Sequence, residues 1–291
     1  MSVINIIILV ILALVLLWGL NNVFLKTNII YDKMCDASIN ANASTGNTIT
    51  VTGTNIIAAK DIPDTTSSNF TLSVWFYIDN WNNNISNYKN ILFMATKNNP
   101  ESTNFNTVNG LSSKVVITST STASTDLKNI GIGLDKYDNN LFIDIECYDS
   151  STVNMSYTRY KIPNISIQKW NNLTMSVDGR TLDVYLDGKL RNSFIMHGLY
   201  RNSYGTRLLK NIYLGNVSPP STTSANSTTY TNGFEGFITR IRFLGESCNP
   251  QDAYNFYKEG INASLANSLF NKYSLKVSFL EYNKEKGGFQ I

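Results

Sequence analysis

KWNNLTMSVDGRTLDVYLDGKLRNSF, residues 169–194, reads as three consecutive antiparallel strands. Leu173, Met175 and Val177 alternate with Asn172, Thr174 and Ser176, a period of two that gives the strand one core-facing side. Asp178-Gly179 tolerates the positive φ angles of a tight hairpin, and Leu182, Val184 and Leu186 resume the alternation after it. Asp187-Gly188 supplies a second turn into residues 189–194. Three strands joined by such short turns make a meander, and the fold class expected from it is all-β.

Working outward, the same alternation recurs at 71–78, 114–118, 141–147, 212–215 and 237–243, with exposed polar loops expected at 119–125 and 218–231. This spacing predicts a large antiparallel sandwich. One short helix follows, with Asn249 as its cap, Pro250 at its first position, Asp252 in its first turn and Gly260 as its stop. Residues 262–271 could add a turn or two. Tyr273, Leu275, Val277 and Phe279 then alternate as a last strand, and residues 284–291 are expected to form a tail.

The amino terminus differs in kind. Residues 3–20, VINIIILVILALVLLWGL, contain no charge, and at about 1.5 Å per residue they cover roughly 27 Å of helix. The run is longer than a signal-peptide core, lacks a basic n-region and is followed by no small-x-small cleavage pattern, so a single-pass anchor over 1–25 is expected. Lys26 and Lys33 lean toward a cytoplasmic carboxyl-terminal domain, although Asp32 and Asp36 partly offset them and the side is left open. Residues 26–68, rich in Ser, Thr, Asn and Ala, read as a polar spacer with a first strand at 48–52; the packed domain is expected over 69–283.

A net charge of +3 spread along the chain gives no stripe for nucleic acid. Sequons such as Asn69, Asn164 and Asn172 suggest glycosylation at face value, but Asn richness produces such triplets by chance and some fall within strands. His197 is the sole histidine, in a loop, and no G-x-S-x-G, H-E-x-x-H or Walker pattern occurs, so catalysis is not expected.

Three segments, in order, resemble the laminin G-like or concanavalin A-like jelly roll: NFTLSVWFYID at 69–79, the 169–194 hairpins with their Y-x-D-G turn, and IYLGN at 212–216 followed by GFEGFITRIRFLGESCNPQDAYNFY at 233–257. The resemblance covers roughly residues 69–260 and implies a jelly-roll sandwich with side-by-side terminal strands. That makes Cys35 and Cys248 the implied disulfide partners, with Cys147 a buried thiol. Trp75, Trp170 and Tyr185 then supply packing area, Asp187 and Gly188 a turn, and Gly215 and Gly236 turns or close backbone approach. The anchor, spacer and jelly roll together also resemble membrane-anchored proteins of large DNA viruses. That implies a virion membrane location, with capsid or other virion proteins as partners.

The leading expectation is a non-enzymatic, membrane-anchored interaction module; the alternatives are a lectin-like glycan-binding protein and, more weakly, a glycoside hydrolase. Some relatives cleave glycans with closely spaced acids on one strand, for which Asp144 and Glu146 are the local counterpart, expected as an ordinary solvent-facing pair. Asp135, Asp138 and Asn139 form an acidic loop of the kind that holds Ca2+ in relatives, and a plain turn is the competing reading. Tyr200, Arg201, Tyr204 and Arg207 mix aromatic and cationic groups suited to stacking on a sugar or meeting a protein, against the simpler reading of a solvated loop.

Overall fold

A computed structural model of the chain describes residues 28–38, 55–63, 68–95, 112–117, 128–147, 155–200, 211–215, 233–261, 276–281 and 284–290. The anchor expected over 1–25 and the strand expected at 48–52 lie outside them. Among the described residues no helix is long and apolar enough to cross a membrane.

Residues 29–261 form one compact unit. Its strands are β1 (Ile29–Tyr31), β2 (Cys35–Asp36), β3 (Ile56–Ile57), β4 (Phe70–Asn80), β5 (Lys89–Ala95), β6 (Ser112–Ile117) and β7 (Lys128–Leu134). They continue with β8 (Leu141–Cys147), β9 (Met155–Ile162), β10 (Trp170–Asp178), β11 (Thr181–Leu186), β12 (Lys189–Ile195), β13 (Asn211–Leu214) and β14 (Glu235–Leu244), before helix α1 (Pro250–Glu259). Sheet A runs β1-β14-β4-β10-β11-β12, with β2 also on β14; sheet B runs β3-β13-β5-β7-β8-β9-β6. Every pairing is antiparallel.

The core lies between the sheets. Phe70, Leu72, Val74, Phe76 and Ile78 of β4 and Leu173, Met175 and Val177 of β10 meet Ile130 and Ile132 of β7 and Leu141, Ile143 and Ile145 of β8. Each such side chain contributes roughly 1.5–3 kcal/mol on leaving water. The meander forms as its sequence dictates, with Asp187 at φ 51° and Gly188 at φ 72° giving the turn that matches strand twist. The Asn249 side chain accepts from the Asp252 N–H, and Asp252 returns the bond, so α1 starts where its capping residues require.

Two expectations need correction, and one strand was not expected. The sandwich begins at β1 rather than near Phe70, because Ile29, Tyr31 and Cys35 of the supposed spacer pair with Arg242, Ile241 and Ile238. β7 carries no polar alternation in its sequence because Gly131 and Gly133 hold its outward positions; a Cβ on Gly133 would sit 2.8 Å from the Lys89 carbonyl oxygen, so the close β5–β7 approach requires a residue without a side chain. Residues 284–290, expected as a tail, form strand β16 (Lys284–Gln290), paired with β15 (Lys276–Glu281) in a two-stranded sheet belonging to the second compact unit.

Candidate functional site

On sheet A, directly opposed residues share a face, and Phe237 of β14, Tyr77 of β4 and Trp170 of β10 are opposed across three adjacent strands. They alternate with the core residues Ile238, Phe76 and Leu173, so the row lies on the outward face. Phe237 is 39% exposed, and Tyr77 and Trp170 are half-buried. The Tyr77 and Trp170 rings meet at 5.6 Å between centroids, tilted by 48°. Neighbouring strands are about 4.8 Å apart, so the row spans about 10 Å.

Gly236 makes the row possible. It lies at φ 156°, at a bulge, and a Cβ there would stand 2.0 Å from the Tyr77 carbonyl oxygen. Polar groups flank the row. Asp36 of β2 pairs with Phe237, and the Lys169 ammonium sits 2.7 Å from Asp187 Oδ2, a hydrogen bond that raises the Lys169 pKa. Asp187 Oδ1 also accepts from the Asn172 N–H, locking the turn beside the row.

Next to the row, α1 covers the same face. Tyr257 stacks on Trp75 at 5.7 Å, and Arg242 lies 4.2 Å from the Phe256 ring. Arg240 Nη2 and Arg242 Nη2 donate to one oxygen, Glu259 Oε2, at 2.8 and 2.6 Å. Burial lowers the Arg242 pKa; Glu259 opposes the shift and Arg240 adds to it. Beside this cluster, on the strand position opposite Arg242, Ser73 Oγ accepts from Thr174 Oγ1 at 2.9 Å and from Asn172 Nδ2 at 3.3 Å. Asn172 is fully buried, so its sequon is closed to a glycan in the folded protein.

The residues singled out from sequence are scattered. Tyr200 is no surface ligand: it is 1% exposed, its ring 4.5 Å from Phe70 and its hydroxyl donating to Asn129 Oδ1. Arg201, Tyr204 and Arg207 lie outside the described residues. Asp144 and Glu146 do share a face, but neither faces solvent. Asp144 accepts from Arg159 Nε at 2.7 Å and Nη2 at 2.8 Å, and Glu146 accepts from Asn129 Nδ2 at 3.2 Å. Each carboxylate is thus committed to a scaffold partner.

Asp135, Asp138 and Asn139 do form the β7–β8 turn. Its acceptors are engaged by the protein's own donors: Asn140 Nδ2 reaches Asp135 Oδ2 at 3.4 Å and Asp138 Oδ2 at 3.3 Å, and Lys89 Nζ donates to the Lys136 carbonyl at 3.1 Å. Among the described residues no three His, Cys, Asp or Glu side chains gather as metal ligands.

Cys35 and Cys248 are both free thiols. Cys35 pairs with Ile238, whereas Cys248 follows the far end of β14 and donates its N–H to Ser176 Oγ. Six residues of strand separate Ile238 from Leu244, about 20 Å, far beyond the roughly 4.4–6.8 Å a disulfide spans between Cα atoms. Cys147 is a buried thiol, and burial pushes Cys35 up to about 12.

Among the residues expected to pack, Trp75, Tyr185 and Gly188 do so; Gly188 lies against Tyr254 and Tyr257 of α1. The Gly215 N–H donates to Ile91 at 2.9 Å. Trp170 proved part of the exposed row, while Tyr77, Phe237, Arg240, Arg242 and Glu259 were missed as site residues. Their types were visible, but only strand register places them together.

Residues 120–246 match the laminin G domain family. No curated protein matches the chain in sequence. Among solved structures, the chain is similar to the carbohydrate-binding module (CBM40) of a Ruminococcus gnavus sialidase bound to α2,3-sialyllactose, at 11% identity and TM-score 0.41, over 65% of this chain and 82% of that one. Domain 4 of the Geobacillus stearothermophilus arabinanase AbnA, in complex with arabinotriose, aligns at 15% identity and TM-score 0.40 over 78% and 89% of the two chains. A heptameric SAP-like pentraxin of Limulus polyphemus aligns at 10% identity and TM-score 0.39 over 67% and 71%. The chain therefore contains a two-sheet antiparallel β sandwich in which residues 120–246 match the laminin G domain family.

Proposed function

We propose that the protein is a non-catalytic, lectin-like module that binds a glycan chain along the Phe237–Tyr77–Trp170 row. The observation that carries this reading is the in-register placement of three partly exposed aromatic rings on one sheet face. Aromatic faces are electron-rich, and the C–H-bearing face of a sugar ring is complementary to them. Lys169, Asp187 and Asp36 at the ends of the row supply hydrogen-bonding groups that fix orientation. The buried Asp144 and Glu146, each held by a neighbour, give a hydrolase no acid pair facing this row.

The uncharged run at 3–20 supports a second part of the proposal, that the module is tethered to a membrane. Resistance of the full chain to alkaline carbonate extraction is the expected result.

A glycan array on the full chain, followed by titration with the best ligand, tests the site. Trp170→Ala and Tyr77→Ala should each weaken binding about tenfold while the variants stay folded, with a cooperative thermal transition and unchanged far-ultraviolet circular dichroism. Unchanged glycan affinity in both variants, or capture of proteins and no glycan, sinks the reading.

A further inference from the structure

We propose that Arg240 and Arg242 form a binding site for the carboxylate of an acidic sugar, and that Glu259 of α1 occupies this site in the free protein. The inference rests on the glycan-binding reading above and extends its row beneath α1.

The Arg240 and Arg242 side chains are 3% and 6% exposed, yet they share a single carboxylate oxygen. Arg240 Nη1 and Arg242 Nε are buried without an acceptor. A guanidinium matches a carboxylate best through two parallel bonds, so the pair offers more donor capacity than Glu259 uses. Asp32, between β1 and β2, adds a favourable negative field at Arg242 but makes no bond to it.

The convergence has a backbone cost. β14 carries a bulge between Thr239 and Arg242, and Arg240 sits at φ 50°, a left-handed conformation unfavourable for arginine. The bulge keeps Ile241 in the core while both guanidinium groups reach the outer face. Strain of this kind persists where the surroundings enforce it, and it gathers at ligand sites.

Glu259 is weakly placed to hold the pair. It is the last residue of α1, where the negative end of the helix dipole opposes a carboxylate. Ala253 is the sole fully buried residue of α1, and the sheet carries the hydroxyl and amide groups of Ser73, Asn172 and Thr174 on this face. Such a surface can bond to sugar hydroxyls once the helix lifts. Trp75 lies two residues along β4 from Tyr77, about 7 Å away, so the aromatic platform continues under Tyr257.

The test uses the full chain, a glucuronate-containing oligosaccharide, and the same oligosaccharide with its carboxylates reduced to alcohols. The acidic form should bind about tenfold or more tightly than the reduced form. Its binding should raise amide exchange across α1. Glu259→Gln removes the internal competitor and should strengthen binding of the acidic form about tenfold. Because that variant leaves two buried cations without a counter-charge, a second variant is needed: Arg240→Met with Arg242→Met and Glu259→Leu, an apolar replacement of a kind usually tolerated. It should bind both forms equally. Equal binding of the two forms to the unaltered chain, still lost in Trp170→Ala, overturns this inference alone. Failure of the unaltered chain and of Glu259→Gln to bind either form overturns it together with the aromatic-row reading for this ligand.

Discussion

Two buried arginine clusters, one on each sheet, are built differently. On sheet B, Arg159 and Asp144 face each other in register on adjacent strands and make a two-point pair, with Phe142 4.4 Å and Tyr88 4.9 Å from the guanidinium. Burial works most strongly against the Arg159 charge, but Asp144, with smaller help from Tyr88 and Asp135, offsets it, and the pKa ends above its ordinary value. On sheet A, two arginines share one oxygen delivered by a helix, and burial leaves Arg242 below its ordinary value. Burial is common to both. The one-to-one, strand-borne pair belongs to the scaffold, whereas the two-to-one, helix-borne cluster has the character of a ligand site.

The largest expected effect probes the scaffold side of this contrast. Asp144→Ala leaves Arg159 buried without its counter-charge and should lower stability by about 3–5 kcal/mol in urea titration. Glu259→Ala should lose less, about 1–2 kcal/mol, because α1 can lift and let water reach its arginines. Equal losses in the two variants would erase the distinction.

A pH titration addresses the strand that borders the row. Burial pushes the Cys35 thiol from 9.0 to about 12, and Tyr31 beside it from 10.0 to about 12. The folded state therefore holds protons that the unfolded chain releases. Their stabilisation is complete below about pH 9 and is lost as pH rises from there toward 12. The thermal midpoint should fall across this window, and Cys35→Ala should flatten the fall. A midpoint that rises instead would contradict the assigned burial.

The smallest effect concerns the helix alone. Asn249→Ala removes the cap of α1 and should cost about 1 kcal/mol. It should raise amide exchange in α1 while leaving β8 and β9 unaffected, so the two clusters would respond separately.

Much of the fold was legible because local chemistry dictates it. The 172–177 alternation, the Asp178-Gly179 and Asp187-Gly188 turns and the Asn249–Gly260 helix signals act within a few residues, and each element formed where its signal lay. β5 offered a continuous apolar run, β7 hid its outward face behind glycines, and β1 to β3 are two or three residues long, too short for periodicity to register. The site was less legible. Trp170 stood out by size, but nothing near it in sequence points to Tyr77 or Phe237, 93 positions before it and 67 after it in the numbering.

By itself, then, the sequence determined the strand-rich class, the meander, the helix and the uncharged amino-terminal run, all consequences of side-chain period and backbone conformational preference. Tertiary structure alone decided that Phe237, Tyr77 and Trp170 share a row and that Arg240, Arg242 and Glu259 share a bond. Antiparallel register and helix docking join residues far apart in the chain, and their energy comes from contacts that exist only after the core has closed.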